Sequence, residues 1–192
     1  MKSSKYIITA GLLMLALPIA LQSKVRDTPH NLNNQGNINV PNQEVCRPCH
    51  APHNVDPLDV GYLWNHELSA GNWTLHTGAD QASVMSSGSR LCLSCHDGTV
   101  ALDSYGGTTG SVFIGGSENL GTDLTDDHPI GVDYPVGHGR YNDPDASGNV
   151  FDPVENPGGA SGSGHLVDGK VQCESCHYAH GSRAAYGMFL RQ

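Results

Sequence analysis

The chain has 192 residues, with 19 acidic and 10 basic side chains, and its formal net charge is −9 at pH 7. A chain this acidic repels nucleic acids and anionic membrane surfaces, which excludes nucleic-acid binding as its role. It contains 24 Gly and 11 Pro but only three Phe and two Trp, so something other than large apolar side chains must fill the interior.

The N-terminus has the layout of a secretory signal peptide. Two lysines precede an uncharged run over residues 6–21. This run is shorter than the roughly 20 residues that a transmembrane helix needs, so a retained anchor is the weaker interpretation. We predict a signal peptide over residues 1–23, cleaved between 21 and 25, and no stable membrane span. The mature chain, residues 24–192, is expected to be secreted, to the periplasm or to the extracellular space.

Residues 24–45, at the start of the predicted mature chain, are rich in Asn. Such a composition favours an extended N-terminal arm over an independent domain. The mature chain has a length that suits one domain. We therefore predict a single domain over residues 24–192, with this arm as its first segment.

All six cysteines fall into three groups of the same form, Cys-x-x-Cys-His. The groups are Cys46, Cys49 and His50; Cys92, Cys95 and His96; and Cys173, Cys176 and His177. Three disulfides are the usual interpretation of six cysteines in a secreted protein, but disulfides do not account for a histidine after every second cysteine.

This pattern is typical of covalent haem attachment. Two thiols three residues apart reach the two vinyl groups of one haem, and the histidine that follows faces the iron as its proximal ligand. Redox dithiols and zinc knuckles are the remaining alternatives. The sequence therefore predicts three covalently attached c-type haems.

Three porphyrins would supply the apolar core that the side chains lack. We predict a haem-cored multihaem cytochrome that is mostly irregular coil, with short helices at the haem motifs and few short strands. Residues 98–169 are dominated by Gly, Asp, Ser, Thr and Pro, which favours turns. Short helices are expected within residues 83–95 and 171–178. Trp64 and Trp73 are expected to pack on porphyrin faces or in ordinary side-chain clusters.

Each iron has one further axial position, and histidine is the abundant candidate for it. The chain contains 11 His, more than three bis-His irons need, and beyond the predicted leader its only methionines are Met85 and Met188. Bis-His ligation is therefore the economical interpretation, and it predicts six-coordinate, low-spin haems of low potential.

Four histidines are predicted as distal ligands, and a fifth is a further candidate. His53 and His180 each follow a proximal histidine by three residues, which on a helical turn would place the second imidazole beside the first. Such a histidine most naturally ligates a neighbouring haem. His128 is the nearest candidate along the chain for the second iron, and His30 is the fourth predicted distal ligand. His66 is the further candidate.

An acidic loop permits a calcium interpretation. Asp143, Asp145 and Ser147 are spaced like the first ligands of an EF-hand loop, but Glu155 falls one position late for the last ligand. A solvated acidic turn is the better interpretation, with calcium as the alternative.

The order of these motifs resembles that of multihaem c-type cytochromes with paired CxxCH motifs, the superfamily of cytochrome c3. The resemblance spans residues 28–190 and depends on TPHNL (28–32), CRPCHAPHN (46–54), LWN (63–65), CLSCHDGTV (92–100), DHPI (127–130) and CESCHYAHG (173–181). Some similar cytochromes polymerise outside the cell into filaments in which a histidine of one subunit ligates a haem of the next. The resemblance thus implies self-association into a homopolymer, with His30 on the arm as a ligand between subunits.

The expected function is electron transfer, with other redox proteins or extracellular electron acceptors as partners. We expect no catalytic residue, because the haems would be the only redox groups. One alternative is a small multihaem reductase with one open iron, which the surplus of histidines disfavours. Another is an electron-transfer subunit of a larger oxidoreductase.

Overall fold

The structure is a computed structural model that describes residues 24–53, 63–140, 143–144 and 165–180. The backbone in these ranges is mostly irregular, with short helices and a sheet of two short strands. The α-helices are α1 (Gln81–Met85), α2 (Gly88–His96) and α3 (Cys173–Cys176), and the strands are β1 (Val132–Asp133) and β2 (Lys170–Val171). Four 3-10 helices span Lys24–Asp27, Leu32–Asn34, Pro41–Gln43 and Gly116–Glu118.

The predicted leader, residues 1–23, lies outside the described residues. Within the ranges described, the longest helix spans nine residues, and no helix is long and apolar enough to cross a membrane.

Each Cys-x-x-Cys-His motif contains a helical turn. The second motif forms the end of α2, a helix that begins where the Ser87 side chain caps the Ser89 N–H. The third motif begins α3, where the side chains of Gln172 and Ser175 cap each other's backbone N–H groups. In the first motif the His50 N–H donates to the Cys46 carbonyl at 2.8 Å. Because side chains three positions apart lie on one face of a helical turn, each pair of thiols points to the same side.

The core of side chains is small. It consists of Trp73, Val84, Leu93, Leu124 and Ile130, with Leu75, Met85 and Cys173 packed against it. Trp73 is therefore part of an ordinary side-chain cluster, one of the two environments expected for it. The third motif reaches this cluster through Cys173.

Helix α3 is fixed to the start of α2 by a buried glutamine. The Gln172 carbonyl oxygen accepts from the Ser87 and Ser89 hydroxyls at 3.0 and 2.7 Å, and its amide donates to Ser83 Oγ at 2.8 Å. The Cys173 N–H also donates to Ser89 Oγ, at 2.9 Å. Since Gln172 is only 1% exposed, these bonds hold the third motif against the second in a place without water.

The strand pair leads directly into α3. β1 and β2 are antiparallel, with Val132 opposite Val171 and Asp133 opposite Lys170. The turn before β1 requires glycine at position 131, where φ is +71° and a Cβ would lie 2.8 Å from Val84 Cγ2. This close approach brings the sheet against α1.

The segment predicted to be an extended arm is folded. Three of the 3-10 helices lie between Lys24 and Gln43, and Val25, Ile38 and Val40 are buried. Asn31 is also buried, and its side-chain amide donates to the Arg26 carbonyl at 2.8 Å. The Asn-rich composition therefore forms local side-chain-to-backbone turns.

Candidate haem-attachment site

The three motifs lie next to one another, with α2 between the other two. The Cys92 and Cys173 side chains are neighbours, and the Gly88 N–H of α2 donates to Glu174 Oε1 at 2.9 Å, which joins the second motif to the third. Cys95 lies close enough to Cys49 for the two thiols to interact electrostatically, which places the first motif beside the second. None of the six cysteines is in a disulfide. Haems attached to these thiols would thus be neighbours.

Three of the cysteine side chains, Cys49, Cys92 and Cys95, have strongly raised pKa values. Burial, with a contribution from Cys46, raises the pKa of Cys49 to about 11. Burial, with contributions from Cys49 and Asp97, raises the pKa of Cys95 to about 12. Redox-active Cys-x-x-Cys pairs have a lowered thiol pKa. The environment of Cys49 and Cys95 therefore opposes the redox-dithiol alternative at the first and second motifs, whereas at the third motif Cys92 and Ser89 lower the pKa of Cys173.

Two imidazole pairs are formed by histidines far apart in sequence. The ring centroids of His50 and His180 are 6.0 Å apart, and their planes are inclined by 21°. Those of His30 and His96 are 6.2 Å apart, with planes inclined by 65°. Each pair contains one proximal histidine and one predicted distal histidine.

These separations fit two axial ligands of one iron. A metal–imidazole bond is about 2 Å long and the ring centroid lies roughly 1 Å beyond the nitrogen, so two imidazoles on opposite sides of a metal have centroids about 6 Å apart. Both observed separations agree with this value. The residues present at the first and second motifs thus fit a haem with two histidine ligands.

The second pair also has hydrogen bonds typical of metal-ligating histidines. His96 Nδ1 lies 2.7 Å from the Glu118 carbonyl oxygen, and His30 Nδ1 lies 2.9 Å from that of Ala179. A neutral imidazole whose Nδ1–H donates to a carbonyl carries its lone pair on Nε2, the atom that would face the iron.

Both distal candidates have a lowered pKa, which favours the neutral, ligating form, although the His180 side chain is exposed. Burial lowers the pKa of His30, as do His96 and His180, while the hydrogen bond to Ala179 opposes this shift. Burial and the neighbouring His50 lower the pKa of His180.

A buried carboxylate next to the second proximal histidine was not anticipated from the sequence. Asp97 is 3% exposed, and its Oδ2 accepts from Ser69 Oγ and, at 2.8 Å, from Trp73 Nε1. Its Oδ1 accepts from the N–H and the hydroxyl of Thr99 at 2.8 and 2.7 Å. The Asp-Gly-Thr turn directly after the motif was the signal that could have identified it.

Trp64 lies against the first proximal histidine. Its ring is 6.2 Å from that of His50, with the planes inclined by 89°. Its buried Nε1–H has no hydrogen-bond partner among the described residues. A haem carries propionate acceptors, so a donor in this place fits a haem at the first motif.

The other predicted ligands have different environments. His53 and His128 are exposed, and His177 is partly buried at the end of α3. His66 is buried, with Nδ1 2.8 Å from the Glu67 carbonyl oxygen and Nε2 3.1 Å from that of Ala101. Both nitrogens of His66 thus face backbone acceptors.

The calcium interpretation is only partly covered by the structure. Asp143 Oδ1 accepts from the Gly137 N–H at 2.6 Å, whereas Asp145 and Ser147 lie outside the described residues. In the part of the chain that is described, no group of three or more His, Cys, Asp or Glu side chains is arranged to hold a metal ion.

Comparison of the sequence with models of protein families and with curated proteins found no match to either.

Proposed function

We propose that this protein is a secreted c-type cytochrome that transfers electrons through three covalently bound haems. The observation that carries the proposal is the closeness of all three Cys-x-x-Cys-His motifs: Cys95 lies near Cys49, and the Cys173 N–H donates to Ser89 on α2, the helix that ends in the second motif. Three motifs with unrelated roles would not need to lie close together in the fold, whereas haems that exchange electrons must be close to one another.

The haems would supply the redox chemistry, and the chain would hold them close together. Each thioether forms at a vinyl group, so thiols that lie close together would bring the vinyl-bearing edges of two haems near each other. Electrons could then pass from the first haem to the second and from the second to the third. The docking of Gln172 onto the serines of α2 would keep the last two haems at a fixed distance.

A second histidine at two of the three irons favours a carrier over an enzyme. A reductase needs an iron with an exchangeable position, whereas the first and second proximal histidines each have another imidazole at the separation expected of a second axial ligand. Bis-His ligation also gives low potentials, which suit a carrier.

Partners and location are part of the same proposal. We propose that the protein acts in the periplasm or outside the cell, exchanges electrons with other redox proteins or extracellular acceptors, and associates with copies of itself. The order of the motifs, which resembles that of filament-forming cytochromes, supports this part.

Haem content tests the proposal directly. The full chain, secreted from a host that has a cytochrome c maturation system, should carry three haems per chain by pyridine haemochrome assay and by mass. Replacing Cys92 and Cys95 with Ser should remove one haem, whereas Cys46 and Cys49 should keep theirs. The reduced protein should be reoxidised by soluble electron acceptors without binding nitrite or cyanide at equilibrium. A chain without covalent haem would overturn the proposal.

A further inference from the structure

We infer that His180 is the second axial ligand of the haem at the first motif and that His30 is that of the haem at the second motif, both from the same chain. We further infer that the ligand planes are nearly parallel at the first iron and steeply inclined at the second. This inference rests on the proposed function, because it requires the haems.

His180 reaches the first motif because α3 ends early. The helix ends at Cys176, and His177 already has extended backbone angles, with φ −106° and ψ 147°. The next residues therefore lead away from the third motif, and His180 does not lie beside His177 on a helical turn. Its ring lies 6.0 Å from His50 and is held on another side by Tyr178, at 5.4 Å.

His30 reaches the second motif from a folded loop. The His30 N–H is held by the Thr28 hydroxyl at 3.3 Å, and the neighbouring Asn31 is buried. His30 Nδ1 is directed at the Ala179 carbonyl, and the ring lies 6.2 Å from His96. These contacts all lie within one chain, so no second subunit is needed to place His30.

The two distal ligands share one short segment. Ala179 supplies the carbonyl that orients His30, and the next residue, His180, faces His50. The segment after the third motif would thus complete the first iron directly and orient the ligand of the second.

Two other histidines are weaker candidates for the second axial ligand of these irons. His128 is the nearer candidate along the sequence for the second iron, but the structure places the ring of His30 beside His96. His66 lies 3.6 Å from Cys95 Sγ through Nε2, yet this nitrogen also faces the Ala101 carbonyl.

The ring planes predict two distinguishable ferric haems. Two parallel imidazoles overlap through their π systems with the same one of the two iron dπ orbitals and so split this pair, which gives a rhombic low-spin signal in electron paramagnetic resonance. Two perpendicular imidazoles each overlap with a different orbital of the pair, which leaves the pair nearly degenerate and gives a strongly anisotropic signal at low field. With planes inclined by 21° and 65°, the first haem should give the former and the second the latter.

The test combines this spectroscopy with single substitutions in the full, haem-loaded protein. His180→Ala should remove one rhombic signal and create a high-spin haem, and His30→Ala should do the same to the strongly anisotropic signal. Added imidazole should restore the low-spin state in both variants.

His138→Ala, at an exposed histidine outside both pairs, should match the unsubstituted protein. His180→Met should place a methionine on the same iron and give the charge-transfer band of an iron–methionine bond.

Three outcomes separate the inference from the proposed function. Three haems with unchanged low-spin signals in His180→Ala and His30→Ala would overturn the inference and leave the function intact. High-spin haem that appears only when the unsubstituted protein is diluted to monomers would overturn the placement of both ligands in one chain. Absence of covalent haem would overturn the function itself.

Discussion

Replacing Asp97 with Asn should raise the reduction potential of the haem at the second motif. Asp97 directly follows His96 and is buried, and its hydrogen-bond donors are Ser69, Trp73 and Thr99, all of them neutral. These donors orient the carboxylate without cancelling its charge. A buried negative charge near an iron stabilises the ferric state over the ferrous state, so its removal favours reduction.

The size of the effect follows from Coulomb's law. A carboxylate on the residue next to a proximal histidine lies roughly 10 Å from the iron, and at an effective dielectric constant of about 20 two unit charges at that distance interact by about 1.7 kcal/mol. For a one-electron couple this energy corresponds to an increase of about 70 mV. Asn has an amide in place of one oxygen, which leaves one of the buried donors without an acceptor, so stability should fall by about 1–3 kcal/mol.

A matched control exists in the same protein. Asp123 accepts from the N–H and the hydroxyl of Thr125 at 3.2 and 2.7 Å, the same turn that Asp97 forms with Thr99, but it is exposed. In spectroelectrochemical titration, Asp97→Asn should raise one of three potentials, and Asp123→Asn should leave all three in place because water screens its charge. An unchanged potential in Asp97→Asn, or an equal rise in both variants, would refute the electrostatic reasoning.

Two further substitutions test the packing that holds the site. Gln172→Ala should lower the free energy of unfolding by about 2–4 kcal/mol, since it leaves a cavity and removes the hydrogen bonds to the serines of α2. Denaturant titration of the haem-loaded protein measures this change. A loss below about 1 kcal/mol would contradict the prediction. Gln35→Ala, which removes a solvent-exposed hydrogen bond to Pro29, is its control and should cost less than about 1 kcal/mol. Gly131→Ala should destabilise by about 2 kcal/mol or more, because φ is positive and the new Cβ would contact Val84. Gly137→Ala has a similar φ of +74° but no atom within 4 Å, so thermal unfolding should show a smaller loss there, and equal losses would mean that crowding plays no part.

The sequence predicts the local features of the site well. The spacing within each motif acts over a few positions, so the sequence predicts helical turns at the haem motifs, and the structure has short helices at the second and third. Periodicity and turn residues also indicated a chain with few regular elements.

The long-range features could not be predicted in the same way. The proximity of His30 to His96 depends on a folded loop and on the Ala179 carbonyl, and neither has a sequence pattern. Likewise, α3 meets α2 through one glutamine and several serines, residue types that occur on any polar surface. Proximity along the chain therefore favoured His128 for the second iron, whereas the structure places the ring of His30 beside His96.

The hydrogen bond between His30 and Ala179 joins residues that are 149 positions apart, and this separation bears on the order of biogenesis. In the proposed secreted cytochrome, the first two motifs would become available for haem attachment long before residues 179 and 180 emerge. Until then the first iron would lack His180, and the second would lack the carbonyl that orients His30. Arrival of the final segment would convert both irons from reactive to coordinatively saturated, so a chain that is cut short would expose them to oxygen and to proteolytic quality control.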